Sequence, residues 1–154
     1  MKHNRNYPKI AQAVELTAKS AGSAEQKMEA ITDILWLEMK DQGLAWVGFY
    51  KITDDRKEML LVCRQPKPAC SPIGLHGVCG KAWKEKKAQV VADVHALGGD
   101  HIVCDPDNLS EVVVPVLEKN GECLYVLDLD SGELDSFGEE DVKGLELMLK
   151  SVGL

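Results

Sequence analysis

A strand-turn-strand pair is encoded by residues 46–63, which read WVGFYKITDDRKEMLLVC. Aromatic and β-branched residues dominate 46–52, and apolar residues fill 59–63, so both segments are predicted to be strands. The polar residues 53–56 between them are typical of a turn, which makes the two strands an antiparallel hairpin. The centre of the fold is therefore predicted to be an antiparallel sheet.

Three further strands are predicted toward the C-terminus. Residues 89–94 are rich in valine and favour a strand. Residues 111–118 and 122–130 predict two more, on either side of the turn Asn120-Gly121.

Four segments with apolar residues at helical spacing predict helices. Two precede the sheet, over residues 8–20 and from the N-cap Ser23 to Gly43. A short third covers 78–87, and a final helix opens with a capping box that begins at Ser136. The order α-α-β-β-α-β-β-β-α predicts an α+β fold in which helices flank one central antiparallel sheet.

The length of 154 residues predicts a single domain over residues 1–154. A formal net charge of −7 argues against a nucleic-acid partner, because phosphate binding requires a concentrated positive field. No apolar run approaches the roughly 20 residues that span a bilayer, and the polar N-terminus leads into no signal-like segment. We therefore predict a cytoplasmic protein that binds neither nucleic acid nor membrane.

Five cysteines need an explanation, because lasting disulfides are rare in the cytoplasm. Cys63 and Cys123 fall within apolar strands, which predicts that they pack in the core. The other three lie in or beside two long loops, over 64–77 and 95–110, and loops of that length are usually functional. These three cysteines are Cys70, Cys79 and Cys104.

Packing, metal binding and thiol redox chemistry are the possible roles for these three. Structural zinc sites usually show C-x₂₋₄-C pairs, which the chain lacks, so we predict no metal. A redox thiol needs surroundings that stabilise its thiolate. Cys79 begins a predicted helix, where backbone N–H groups favour an anion, and Cys104 lies between His101 and Asp105. The residues alone leave all three cysteines as redox candidates.

Six motifs in order carry a family resemblance from about residue 25 to the C-terminus. The chain resembles the free methionine-(R)-sulfoxide reductases, which are single GAF domains. The resemblance implies a GAF-like (PAS-like) fold, in agreement with the predicted element order. The motifs are WVGFY at 46–50, PAC at 68–70, GVCGKA at 77–82, VADV at 91–94, HIVCD at 101–105 with SEVVVP at 110–115, and VLDLDS at 126–131.

The resemblance also implies roles for the cysteines. Cys104, in the HIVCD motif, matches the catalytic nucleophile. Cys70 matches the usual resolving position, and Cys79 matches a third family cysteine that is a possible second resolver. The loop between Cys70 and Cys79 differs from the family pattern, so the choice between these two resolving thiols stays open.

The same resemblance implies a substrate pocket that is lined by five further side chains. Trp46 and Tyr50 match its aromatic wall, although plain core packing is an equal alternative. Glu111, Asp128 and Asp130 match its acidic residues. The implied reaction needs no cofactor, passes through an intramolecular disulfide and uses a thioredoxin-like reductant. A homodimer is implied as well.

The alternating strand 126–130 places Asp128 and Asp130 on one face. Two carboxyl groups in a partly closed cavity repel, so one tends to keep a proton. That proton can be given to a sulfoxide oxygen while Cys104 attacks the sulfur, and an ionised carboxylate can pair with the substrate ammonium. Glu111 suits either role. The alternative is a solvated strand end without any site.

A second class of function is a non-catalytic GAF module that binds a small ligand and signals, since a fold does not fix a function. Sensor modules usually accompany an output domain, and a ligand-only module needs no thiols in both pocket loops. The sequence therefore favours the reductase.

Overall fold

The computed structural model describes residues 3–98 and 105–154. Residues Val94–Ala96 form a short 3₁₀ turn. The helices and strands within the described ranges, in chain order, are α1 (Tyr7–Ala18), α2 (Ala24–Met39), β1 (Trp46–Ile52), β2 (Glu58–Gln65), β3 (Ile73–Gly74), α3 (Val78–Glu85), β4 (Gln89–Val91), β5 (Ser110–Leu117), β6 (Cys123–Ser131) and α4 (Glu139–Ser151).

The strands form one sheet in the order β3-β2-β1-β6-β5-β4, and every neighbouring pair is antiparallel. The predicted antiparallel sheet flanked by helices is therefore confirmed. In the register of the central strands, Asp130 on β6 lies opposite Trp46 on β1 and opposite Glu111 on β5. Gly48 and Val113 lie in the same way on either side of Asp128.

Alternation along the strands separates the two faces of this sheet. Phe49, Leu127 and Leu129 face the core formed with α1, α2 and α4. Their neighbours Tyr50 and Val126 face the opposite side, which packs against α3. Because three helices cover the first face, any open cavity is left to the second face, beside the single short helix α3.

The start of α2 follows the sequence prediction. The hydroxyl of Ser23 accepts a hydrogen bond of 3.2 Å from the backbone N–H of Gln26. In a capping box, the side chain of Gln26 would accept a hydrogen bond from the backbone N–H of Ser23. Here the Gln26 amide oxygen accepts from the backbone N–H of Gly22 instead.

The predicted capping box at Ser136 is wrong. Helix α4 begins three residues later, at Glu139, with Gly138 as its N-cap and Asp141 as its N3 residue. The backbone N–H of Gly138 donates to Asp141 Oδ2 at 2.9 Å. Ser136 is fully buried, and its hydroxyl accepts a hydrogen bond from Arg5, a contact that local sequence cannot reveal.

A buried polar cluster joins the N-terminal segment to α4. Arg5 donates to Asp141 Oδ1 at 3.0 Å, and the hydroxyl of Tyr7 donates to the same oxygen at 2.6 Å. Arg5 also donates to the carbonyl of Gln42, which lies beyond the end of α2. One charge pair with shared hydrogen bonds therefore fixes α1 and α2 against α4.

Two other boundaries differ from prediction. The first long loop contains strand β3, whose Ile73 pairs with Met59. Strand β4 ends at Val91 rather than residue 94, because the chain then turns into the 3₁₀ segment capped by Asp93. Both differences involve segments too short to produce a periodic pattern. In the ranges that the structure describes, none of the helices has the length and hydrophobicity needed to cross a membrane.

Candidate active site

A cavity of about 470 Å³ opens on the face of the sheet beside α3. Strands β1, β5 and β6 form its floor, and the segments around residues 67–70 and 105–108 form its rim. All the described residues among our predicted site residues line it. The full described lining is Trp46, Tyr50, Lys67, Pro68, Ala69, Cys70, Ile73, Gly77, Val78, Cys79, Val94, Asp105, Pro106, Asn108, Glu111, Asp128 and Asp130.

Three carboxyl groups meet on the cavity floor. Strand alternation places Asp128 and Asp130 on one face of β6, and the β5–β6 register brings Glu111 beside them. The Sγ of Cys79 and carboxylate oxygens of Glu111 and Asp128 lie within 4.8 Å of one another. Asp128 is only 5% exposed and Glu111 7%, so these are not the side chains of a solvated strand end.

Burial raises the pKa of all three carboxyl groups, because the charged form loses its hydration. The neighbouring carboxylates raise the pKa values of Glu111 and Asp130 further, well above their usual range. Hydrogen bonds from Glu111, Cys79 and Asp130 oppose the rise in the pKa of Asp128. Glu111 and Asp130 are therefore the groups that hold protons, and Asp128 is the group that ionises most readily.

One acceptor on this floor is left unused. Within residues 3–98 and 105–154, the buried Oδ1 atom of Asp128 has no hydrogen-bond partner. Buried polar atoms in native proteins nearly always have one. Asp128 lines the cavity, so a hydrogen-bond donor on a bound ligand is a candidate partner for this oxygen.

Cys79 lies at the second position of α3, where we expected the backbone to favour a thiolate. Burial raises the pKa of this thiol instead, and the carboxylates of Asp128, Glu111 and Asp130 raise it further. Charges of the same sign at close range outweigh the partial charge of a two-turn helix. Cys79 is therefore a protonated thiol that donates toward Asp128.

Trp46 and Tyr50 share a face of β1, and their ring centroids lie 6.2 Å apart. Trp46 Nε1–H donates to the carbonyl of Lys67 at 2.8 Å, and the Tyr50 hydroxyl donates to the carbonyl of Cys70 at 2.8 Å. These bonds hold the rim segment 67–70 against the sheet. The two aromatic side chains thus line the cavity and also position the loop that carries Cys70.

Gly48, between the two aromatic residues, is required by this packing. A Cβ atom at this position would lie 2.4 Å from Cη2 of Trp46 and 2.7 Å from the carbonyl oxygen of Cys63. The absence of a side chain lets the Trp46 indole lie flat across the strand.

An ion pair that we did not predict joins the two sides of the rim. Lys67 Nζ lies 2.6 Å from Asp105 Oδ2, and this hydrogen bond raises the pKa of Lys67 and lowers that of Asp105. Both residues lie at family motifs in the sequence, since Lys67 precedes the PAC motif and Asp105 ends the HIVCD motif. This position is the sequence feature that could have identified them as site residues. The predicted site included the cysteines of these motifs but neither of these two charged residues.

The structure distinguishes the cysteines by bonding state. Cys70 is disulfide-bonded, whereas Cys63, Cys79 and Cys123 are free thiols. Cys123 is buried and Cys63 is half-buried, in keeping with packing roles. The predicted nucleophile Cys104 lies outside the described residues.

Cys79, Glu111 and Asp128 are also the residues that could hold a metal ion, since sulfur and carboxylate oxygens are ligands for divalent cations. This grouping arises from three separate elements and leaves no spacing signature in the sequence. The prediction that no metal is used stays a prediction.

Known proteins are similar to this chain in sequence. Residues 21–154 match a family model described as a GAF domain. A free methionine-R-sulfoxide reductase of Escherichia coli (strain K12) is 35% identical over 149 residues, which cover 95% of this chain and 81% of the relative. This chain belongs to the free methionine-(R)-sulfoxide reductase family. The predicted resemblance is thereby confirmed.

Solved structures of this reductase family agree. The reduced form of fRMsr from Staphylococcus aureus superposes with a TM-score of 0.87 at 31% identity, covering 99% of this chain and 96% of that chain. A free methionine-R-sulfoxide reductase from Neisseria meningitidis, in complex with its substrate, gives a TM-score of 0.85 at 32% identity, with coverage of 95% and 85%. The GAF fold and the class of oxidoreductase are confirmed at the level of the family.

Proposed function

We propose that this protein reduces free methionine-(R)-sulfoxide to methionine in the cavity beside α3. The observation that carries the proposal is the trio of carboxyl groups on the cavity floor, two of them buried, facing an aromatic wall, with disulfide-bonded Cys70 on the rim. The substrate is a small zwitterion with a polar S=O bond and an apolar S-methyl group. A cavity with protonated acids, an ionisable acid and aromatic rings suits each of these parts.

The sulfoxide oxygen accepts hydrogen bonds and must gain a proton as the S–O bond breaks. Glu111 and Asp130 have strongly raised pKa values, so they enter the reaction protonated and serve as donors to this oxygen. The unsatisfied Oδ1 of Asp128 suits the substrate ammonium. Trp46 and Tyr50 contact the S-methyl group.

Cys104 is the proposed nucleophile. Its thiol attacks the sulfoxide sulfur, the oxygen passes to the cysteine, and the products are methionine and a sulfenic acid on Cys104. The substrate sulfur gains two electrons, and the cysteine sulfur loses them. The thiol of Cys70 then condenses with the sulfenic acid, which forms a disulfide and releases water.

Three features support Cys70 over Cys79 as the resolving thiol. Cys70 takes part in a disulfide, and Cys79 is free. Cys70 lies on a rim segment, while Cys79 is 5% exposed on the cavity floor. Burial and then the nearby carboxylates raise the pKa of Cys79, which reduces its thiolate fraction.

A dithiol of the thioredoxin class completes the cycle by reducing the Cys70–Cys104 disulfide and becoming a disulfide itself. No metal or organic cofactor is required. Such a reductant is found with reduced thiols in the cytoplasm, which is the proposed location. The homodimer stays a prediction, which sedimentation of the purified protein checks.

The test is turnover of racemic free methionine sulfoxide with dithiothreitol as reductant. We expect half of the racemate to be consumed, with no consumption by Cys104→Ser. The matched control is Cys123→Ser, since Cys123 is buried outside the cavity and should leave turnover unchanged. Full activity of Cys104→Ser would contradict the proposed nucleophile, and binding without consumption by the wild type would favour a sensor module.

A further inference from the structure

The charges that line the cavity are unequal in number. Four of its described residues are acidic: Asp105, Glu111, Asp128 and Asp130. Lys67 is the one cationic side chain among the lining residues that the structure describes. A free amino acid brings an α-carboxylate as well as an ammonium, and the described floor offers that carboxylate no cation with which to pair.

We propose, on the basis of the proposed function, that Lys67 binds the α-carboxylate of the substrate and thereby selects free methionine sulfoxide over the same residue within a peptide. In a peptide this carboxyl group is an amide and carries no charge. Lys67 is thus a specificity-determining residue for the reaction, at the opposite end of the substrate from the sulfoxide.

The position of Lys67 fits this role. Its side chain is 58% exposed at the rim, while Glu111 and Asp128, which suit the sulfoxide and the ammonium, lie buried on the floor. A zwitterion that puts its side chain onto the floor leaves its carboxylate near the rim. The backbone of Lys67 is fixed there, because its carbonyl accepts a hydrogen bond from Trp46.

The pair with Asp105 does not prevent Lys67 from binding a carboxylate. A lysine ammonium has three N–H donors, and Asp105 Oδ2 uses one of them. The other oxygen of Asp105 is held independently by the backbone N–H of Asp107 at 2.9 Å. Asp105 therefore orients the ammonium and leaves two donors for the substrate.

The experiment compares methionine sulfoxide with methionine sulfoxide amide as substrates for the wild type and Lys67→Met. Removing a charge-assisted hydrogen bond should raise KM for methionine sulfoxide roughly tenfold or more. The amide already lacks the carboxylate, so Lys67→Met should change its KM by less than about twofold. Lys67→Arg should recover most of the loss, and Lys119→Met, on the exposed β5–β6 turn, is the matched control.

Two results would overturn the inference. One is an equal rise in KM for both substrates in Lys67→Met. The other is an unchanged KM for methionine sulfoxide in Lys67→Met, which would mean that Lys67 does not contact the substrate. If the wild type reduces neither substrate, the proposed function itself fails. Calorimetric titration with free methionine then still tests Lys67, since unchanged affinity in Lys67→Met would overturn its role.

Discussion

The hydroxyl of Tyr50 donates a hydrogen bond of 2.8 Å to the backbone carbonyl of Cys70. Strand β1 therefore holds the backbone of the proposed resolving cysteine against the cavity floor. Tyr50 thus has a positioning role in addition to its predicted role in the aromatic wall of the cavity.

Tyr50→Phe keeps the ring and removes this hydrogen bond. A neutral hydrogen bond contributes about 1 kcal/mol, so we expect disulfide formation after the first turnover to slow about fivefold. Release of methionine in that turnover should change far less. Quenched-flow sampling measures both steps, and dimedone labelling reports the sulfenic acid that accumulates. Tyr125→Phe, which removes an exposed hydroxyl bond to Glu25, is the matched control.

Cys70→Ser should stop the cycle after one methionine per protein and leave a sulfenic acid on Cys104. Serine keeps the size of the side chain but cannot form a disulfide. Peptide mass mapping after a single turnover should find a Cys70–Cys104 linkage in the wild type and also in Cys79→Ser. A Cys79–Cys104 peptide in the wild type would reverse our choice of resolving thiol.

Glu111→Gln should change how stability depends on pH. The pKa of Glu111 is raised well above 4.5 by burial and by its neighbours, so the folded state keeps a proton that the unfolded state releases. The stability contributed by this proton is complete below pH 4.5 and is lost as pH rises toward the folded pKa, by up to about 1.4 kcal/mol per unit.

Glutamine is neutral at every pH, so urea denaturation should show that Glu111→Gln gains stability relative to the wild type between pH 5 and pH 8. Glu122→Gln, at an exposed ion pair, should show no such trend. An equal effect of Glu111→Gln at both pH values would contradict a raised pKa.

Asp141→Asn should destabilise the whole fold. The Asp141 carboxylate receives hydrogen bonds from Arg5, Tyr7 and the backbone of Gly138, and the Arg5 side chain is 1% exposed. Removing one partner of a buried ion pair leaves an uncompensated charge, at a cost of about 3–5 kcal/mol. Urea denaturation measures the loss, and Glu38→Gln at an exposed pair should change it by less than about 0.5 kcal/mol.

Gly48→Ala should disturb the cavity and crowd the carbonyl of Cys63 on the neighbouring strand β2. The added methyl group would overlap the Trp46 ring, so the indole must move and its bond to the Lys67 carbonyl is lost. We expect a stability loss of about 1–3 kcal/mol and altered tryptophan fluorescence. Gly132→Ala is the matched control, because a Cβ there makes only an ordinary contact of 3.6 Å. Unchanged fluorescence in Gly48→Ala would contradict the described packing.

The sequence by itself determined most of the local structure. Alternation in 46–52 and 126–130 was sufficient to place Trp46 with Tyr50, and Asp128 with Asp130, on common faces of their strands. The sequence also predicted the strands and helices, because a side-chain period of two or 3.6 residues is a local property. The family motifs could likewise be identified from the sequence.

The tertiary structure determined which side chains from other elements lie next to these strand faces. Strand register put Glu111 and Asp130 side by side from different hairpin arms, and the approach of α3 added Cys79. Burial then reversed the expectation for that thiol, since desolvation and nearby carboxylates raise its pKa where the helix N-terminus alone would lower it. The Lys67–Asp105 pair joins loops 38 residues apart. Such contacts depend on distances across the folded chain, and spacing along the sequence does not encode them.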